Sequence, residues 1–213
     1  MNVRAVVPCH VNAPDPALLA AVGAAVDGVL VVDDGLPAGE AARLAGIDVL
    51  RLGGNHGKGT AVARGAERAV AEGADAVLVF DGDGQHPAAA IPAFLAAARQ
   101  AELVVGDRFG DLRGIPLARR AANVAAATAM TVVVRRRVRD TQCGMRLLRA
   151  RALHELPPPP GGFEAETVHL KRCLRAGVPV VWVPIPAIYE GEPSSFRPLR
   201  DGARIARALA RRG

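Results

Sequence analysis

Aromatic side chains make up only 3% of the 213 residues, although half of the chain is hydrophobic. An interior so poor in rings has to be filled by Val, Ile, Leu and Ala, the composition of parallel sheets covered by helices, which disfavours a β-sandwich. Cysteine is scarce as well. Cys9, Cys143 and Cys173 are odd in number and show no CxxC spacing, which argues against a disulfide framework or a zinc site and fits a reducing cytoplasm. No uncharged run is long enough to span a bilayer comfortably; one of them covers residues 121–134, between arginines. That run reads as a buried core helix, with an interfacial helix as the rival reading. The apolar stretch before Pro8 and His10 is too short for a signal peptide and reads as a first strand. Neither a GxGxxG fingerprint nor a GxxxxGK[ST] loop is present, which disfavours dinucleotide binding and P-loop hydrolysis.

What is present is divided by charge. Of the 27 basic residues 25 are Arg, and their distribution is uneven. Between positions 108 and 151 eleven Arg face only Asp111 and Asp140, and between 196 and 213 six face only Asp201, so the remainder of the chain is net acidic. An acidic part suits a metal ion and a basic part suits a phosphate-bearing acceptor or a membrane surface. The basic segment lacks interleaved aromatics, which argues against nucleic acid as the partner. The length suits one domain. Within it we expect a nucleotide- and metal-binding half over 1–107, an acceptor half over 108–195 and a basic C-terminal helix over 196–213.

Apolar β-branched runs at 3–7, 29–32, 49–52, 76–80, 103–105 and 178–183 predict strands. Ala- and Leu-rich stretches at 16–26, 39–44, 59–72, 88–100, 117–134, 163–175 and 199–211 predict helices. The alternation predicts an α/β fold with a mostly parallel, twisted sheet flanked by helices. Ligands of such sheets gather at the carboxyl ends of the strands, which here carry Pro8, Asp33 with Asp34, Asp81 with Asp83, and Gly106 with Arg108. The loop at 157–162, four Pro followed by two Gly, reads as a hinge or a spacer.

Two of these strand ends are acidic, VLVVDDG and VLVFDGDGQHP. Carboxylates so close together resist desolvation unless a cation or hydrogen-bond donors compensate. Mg2+ or Mn2+ accepts a few protein oxygens and takes the rest from phosphate and water, so Asp81 and Asp83 with the Gln85 amide oxygen or the His86 imidazole nearby match its demand. Taken singly, each cluster also reads as an ordinary turn, since Asp and Gly are favoured there. Between the clusters, NHGKGTAVARG predicts a Gly-rich loop entering a helix, with Lys58 able to meet an anion at the helix N-terminus.

Together, VVPCH, VVDDG, NHGKGTAVARG, DGDGQHP, VVGDR and DTQCGMR occur in the order and spacing of glycosyltransferase family 2 enzymes of the GT-A fold. The chain most resembles their dolichyl-phosphate mannose synthase-like branch, the polyprenyl-phosphate glycosyltransferases. The resemblance implies that Pro8 and Asp33 or Asp34 border the nucleoside, that Lys58 lies on the donor side, and that Asp83 and Gln85 hold the metal while Asp81 helps hold the nucleotide sugar. It further implies that Arg108, Arg119 or Arg120, and Asn123 face the acceptor. Asp140 and Arg146 become a second acidic and basic pair lining the site, Glu164 and Glu166 match an FxxE-like segment, and Ser194 and Ser195 match a closing loop. Leu36 departs from the Ser usual after VVDDG. The activity implied is inverting transfer of a sugar from a UDP- or GDP-sugar to an anionic or lipid-linked acceptor such as a polyprenyl phosphate, at a cytoplasmic location that allows peripheral contact with the inner face of the membrane.

An acceptor alcohol would require a base, for which Asp140 is the first candidate, with pairing to Arg139 or Arg146 as the structural alternative. His10 and His86 read as hydrogen-bonding loop residues, Trp182 and Tyr189 as packing, and Cys143 as a small buried residue. Two other functions use a similar nucleotide site: a sugar-phosphate nucleotidyltransferase, which needs a Gly-rich basic loop where PCHVNAPDP stands, and a nucleotide-sugar-binding protein without turnover.

Overall fold

The computed structural model describes residues 1–110, 117–186 and 188, with the side chains of 110 and 117–119 outside that description. Among the described residues the strands β1 (Val3–Cys9), β2 (Gly28–Asp33), β3 (Val49–Arg51), β4 (Ala76–Val79), β5 (Leu103–Asp107), β6 (Arg146–Arg149) and β7 (Val180–Pro184) form one sheet. Its order is β3-β2-β1-β4-β6-β5-β7. The helices are α1 (Pro16–Gly23), α2 (Ala38–Ala42), α3 (Lys58–Ala71), α4 (Ile91–Ala97), α5 (Leu117–Val134), α6 (Ala150–Glu155) and α7 (Glu164–Arg175).

The strands are Val- and Leu-rich because both faces of the sheet are covered. Helix α3 packs on β1, β2 and β4 and meets α7, which meets α5, while α4 packs on β5, β6 and β7. Val6, Val7, Leu30, Val31, Val77, Leu78, Leu103 and Val104 are fully buried, and Phe80 and Phe94 supply the two largest buried side chains. Each such residue contributes about 1.5–3 kcal/mol on burial. The six strands read from the sequence are all present, as are the helices within the described residues, several of them shorter than expected; the helix expected at 199–211 lies outside them, and α5, expected to be a buried core helix, buries only one stripe (Ala127, Met130, Val134) and exposes Val124 and Val132.

One strand escapes the hydrophobic pattern. β6 is RLLR, with no alternation and an Arg at each end, yet it runs antiparallel between β4 and β5. Its arginines are tolerated because carbonyl oxygens receive them: Arg149 Nη1 donates to Ala98 O at 3.1 Å, and Arg146 is held in the same way. The reversal matters for the site. Arg146 pairs with Val79 and Val105, the late residues of β4 and β5, so the segment leading into β6 arrives at the carboxyl ends of its neighbours. That end is also where the chain switches direction across the sheet, with β2 and β3 on one side of β1 and β4 on the other.

Candidate active site

Two acidic turns stand at this end of the sheet. After β2, Asp33 and Asp34 are 6% and 2% exposed. Asp33 Oδ1 accepts the amides of Gly35 (3.0 Å) and Leu36 (2.7 Å), which folds the chain back on itself. Asp34 reaches across to the loop before α3, accepting from His56 N at 2.7 Å and Gly57 N at 2.9 Å. His10 pairs with the Asp34 carbonyl through Nδ1 (2.9 Å) and with the Asn55 side chain through Nε2 (2.8 Å), which closes the same loop from above. Backbone N–H groups thus provide the compensation that two adjacent carboxylates need. The Cys9 thiol below them, buried first and faced by both carboxylates second, is pushed up to about 12.

The turn after β4 is compensated differently. Lys58 Nζ, at the start of α3, lies 2.7 Å from Asp81 Oδ1 and 2.8 Å from Glu166 Oε1 of α7, and sits over the Phe163 ring at 5.7 Å. His86 Nε2 is 3.5 Å from the other Asp81 oxygen. Its imidazole is buried, packs edge-on to Phe80, and has no hydrogen-bond partner at Nδ1 among the described residues. Burial alone would raise the Asp81 pKa, but Lys58 and then His86 hold it well below the usual carboxylate range. Lys58 shows the reverse: burial favours its neutral form, and Asp81 and Glu166 overcome that and keep it protonated.

Asp83 stands two residues further on, open to solvent, with Oδ1 accepting the Gln85 amide at 3.0 Å. Partial loss of hydration, followed by the charge of Asp81, pushes its pKa up. A carboxylate disfavoured by a like neighbour gains most from a cation. Among the described residues no group of three or more His, Cys, Asp and Glu side chains is arranged to hold a metal ion. The oxygens that the turn itself offers, from Asp83 and Gln85, suit a cation that takes one or two protein ligands and brings phosphate and water for the rest, as Mg2+ and Mn2+ do.

The segment before β6 completes the floor. Arg146 is 3% exposed and donates to three carbonyls: Cys143 O (2.9 Å) through Nε, Glu166 O (2.8 Å) through Nη1 and Thr141 O (3.0 Å) through Nη2. It fastens its own loop to the first turn of α7. Gly144 in that loop lies against Asp81 so closely that a Cβ there would overlap the carboxylate, so Gly is the residue that lets DGDGQHP and DTQCGMR meet. Asp140 is fully buried and takes Arg108 in a two-pronged pair, Nε to Oδ2 at 2.7 Å and Nη2 to Oδ1 at 2.9 Å, with Gln142 N on Oδ1 at 2.8 Å. The pairing expected with Arg139 or Arg146 is thus corrected to Arg108; Arg139 instead meets Asp107 at 3.2 Å. Burial opposes ionisation of Asp140, but Arg108 outweighs it and the pKa falls. Cys143 is fully buried and its thiol is pushed up to about 12 by burial and then by Asp140, which suits packing and not nucleophilic work.

Lys58, Asp81, Glu166, Gly144 and Arg146 are thus brought into one neighbourhood, with exposed Asp83 and half-buried Gln85 following Asp81 in the same turn. Pro8 is half-buried late in β1, beside β2. Glu164 folds back on the Gly162 amide at 3.3 Å. Arg120 is exposed and Asn123 half-buried on α5. The Arg119 side chain, Ser194, Ser195 and Tyr189 lie outside the described residues. Trp182 packs half-buried against the core and His10 is a hydrogen-bonding loop residue, as expected, whereas the polar contact of His86 among the described residues is only the 3.5 Å approach to Asp81. Gly144 and the join between Lys58 and Glu166 were missed by the sequence reading. A lysine in a chain whose other basic residues are nearly all Arg was the signal available for the second. The 157–162 loop is more than a spacer: Gly161 O accepts Gly59 N at 2.8 Å, and Gly161 N donates to Thr60 Oγ1 at 3.2 Å. Gly59 is required at this join, since a Cβ would collide with Ala165 and stand 2.9 Å from Gly161 O.

Residues 6–156 match the family described as Glycosyl transferase family 2. Undecaprenyl-phosphate mannosyltransferase of Micrococcus luteus is 30% identical over 172 residues, which cover 74% of this chain and 70% of that protein. Among solved structures, glucosyl-3-phosphoglycerate synthase from Mycobacterium tuberculosis, in complex with Mn2+, uridine-diphosphate-glucose and phosphoglyceric acid, superposes with a TM-score of 0.72 at 20% identity over 98% of this chain and 77% of that one. Mannosyl-3-phosphoglycerate synthase from Rubrobacter xylanophilus does so with a TM-score of 0.72 at 20% identity over 100% and 74%. At such identities the two superpositions speak for the fold. The family match covers most of the sheet, the acidic turn and the DTQCGMR loop, and on that ground the chain belongs to glycosyl transferase family 2.

Proposed function

We propose that this protein transfers a sugar, with inversion, from a nucleotide-diphosphate sugar to a phosphate-bearing acceptor, in a reaction dependent on Mg2+ or Mn2+. The observation that carries the reading is the unequal pair in DGD: Asp81 is already spent on Lys58, while Asp83 is solvent-facing with a pKa raised by its neighbour. In this reading Asp83 and Gln85 hold the cation. When bound, it supplies Lewis acidity that stabilises the charge gathering on the departing diphosphate. Asp33, Asp34 and Pro8 shape the wall beside the nucleoside, Asp34 by fixing the His56–Gly57 amides ahead of Lys58. The relatives named above carry mannosyl and glucosyl transfer in their names, and one is described with Mn2+ and a uridine-diphosphate sugar. UDP- and GDP-sugars are the donors to try first.

Asp140 bears on the acceptor. A carboxylate with both oxygens on Arg108 and a lowered pKa is a poor proton acceptor. That favours an acceptor whose attacking oxygen is already ionised, such as a polyprenyl phosphate, for which no base is needed. Asp140 then orients Arg108, and Arg108, Arg119 or Arg120, Asn123 and Ser195 are assigned to the acceptor phosphate. Arg146 works by holding backbone in place. The halves at 1–107 and 108–195 become donor and acceptor sides of one domain, and the Arg-rich stretch at 196–213 is assigned to peripheral contact with an anionic membrane face. No helix among the described residues is long and apolar enough to cross a membrane.

A panel of UDP-, GDP- and dTDP-sugars, scored by thermal shift with and without Mn2+ and then by transfer of labelled sugar to a short-chain polyprenyl phosphate or to phosphoglycerate, tests the reading. We expect a Mn2+-dependent shift for one donor class and label in a phosphorylated product. Release of pyrophosphate from a nucleoside triphosphate would establish the nucleotidyltransferase instead. A metal-dependent shift without donor hydrolysis or transfer would leave a binding protein.

A further inference from the structure

Lysine is rare in this chain: Lys58 and Lys171 stand against 25 Arg. Lys58 occupies a place where Arg does not serve. Its ammonium lies within 2.7 Å of Asp81 and 2.8 Å of Glu166, with the lysine and aspartate side chains each 17% exposed and the glutamate 12%. A compact point charge with three donors fits between two carboxylates at this separation, whereas a planar guanidinium is too large and points its donors in a fixed fork. The two carboxylates come from distant parts of the chain: Asp81 follows β4, and Glu166 is in the first turn of α7. That turn is held in register by Arg146 on the Glu166 carbonyl and by Gly161 on the start of α3. Two half-buried carboxylates face one ammonium, so Lys58 alone does not cancel their charge.

Resting on the function proposed above, we propose that Glu166 is a positioning residue: from α7 it holds the Lys58 ammonium on Asp81, so that the first carboxylate of DGD is kept for an internal cation and the second, Asp83, alone faces the metal and diphosphate. Glu166 touches neither metal nor donor and acts only through Lys58. Two consequences distinguish this role from general packing. The charge at position 58 is insufficient without its shape, and the effects of changing 58 and 166 do not multiply.

The test measures Mn2+-dependent binding of UDP and of GDP, by equilibrium dialysis, to the whole chain carrying Glu166→Gln, Lys58→Met, Lys58→Arg and the Lys58→Met/Glu166→Gln double change. Glu166→Gln should weaken nucleotide binding about tenfold, Lys58→Met at least as much, and the double variant no more than Lys58→Met alone. Lys58→Arg should behave like Lys58→Met. Losses that multiply in the double variant, or a Lys58→Arg protein that binds like wild type, would overturn the assignment. A ligand-free cycle of the same variants by urea unfolding reads the Lys58–Glu166 coupling directly, and a coupling of zero also overturns it. Wild-type protein that binds neither nucleotide with Mn2+ refutes the donor reading itself. In that event nucleotide binding by the variants is no longer interpretable, and the ligand-free cycle alone still decides whether Glu166 holds Lys58.

Discussion

The turns after β2 and β4 have nearly the same composition, DDG and DGD, and opposite electrostatic fates. In the first, both carboxylates are buried and answered by main-chain amides from Gly35, Leu36, His56 and Gly57. In the second, Asp81 is answered by Lys58 and Asp83 is left raised and open. Hydrogen bonds from a fixed backbone satisfy a carboxylate locally and shape a loop, so the first turn is architecture. An unequal pair retains a demand for positive charge, so the second is where a cation is to be expected.

The largest test of that contrast is Asp83→Ala. It should lower Mn2+-dependent transfer about 10³-fold, measured with labelled donor, because a charge-stabilising ligand is removed. Its unfolding free energy should change by less than about 0.5 kcal/mol, as expected for an exposed side chain. Asp34→Ala should do the opposite. Two part-buried amides lose a charged acceptor, which costs about 2–3 kcal/mol in urea unfolding. Mn2+ binding to the folded fraction should stay within about threefold of wild type, since Asp34 holds no metal in this account. If Asp34→Ala removed Mn2+ binding while remaining folded, the division between the turns would be wrong.

Acid sharpens the contrast once its background is known. Buried His169, whose Nε2 pairs with Leu156 O at 2.9 Å, has its pKa lowered to about 4, first by burial. A group depressed in the folded state contributes stability above its unfolded value near 6.5, and that contribution disappears as pH falls through the folded value. The fold should therefore lose about 2–3 kcal/mol between roughly pH 6.5 and 4 by thermal or urea unfolding. His169→Gln should flatten that slope, which allows Mn2+ binding in the same window to be read as protonation of the site. The smallest effect belongs to Asp33→Asn, which keeps the Asx-turn acceptor and should cost about 1 kcal/mol or less. A much larger loss there would mean that the charge of Asp33 does more than form a turn.

How far the sequence could be read depended on what each residue needed. Val-rich strands and Ala-rich helices were legible because burial on both sides of a sheet leaves a local apolar signal. β6 was not, since RLLR is stabilised by carbonyls from Thr141, Cys143, Glu166 and Ala98, none of which is visible in four letters. The acidic turns were legible as candidates but not as different in kind. Asp140 was visible as a carboxylate near arginines, and which arginine it takes was decided by the fold.

By itself the sequence determined the α/β class, the carboxyl-end placement of its acids and the family resemblance, because these follow from local periodicity and from motifs in order. Only the tertiary structure decided which charges cancel. Lys58, Asp81 and Glu166 lie up to 108 positions apart, and an ion pair depends on distances of a few ångströms that only the closed sheet, the reversed β6 and the docked first turn of α7 could set.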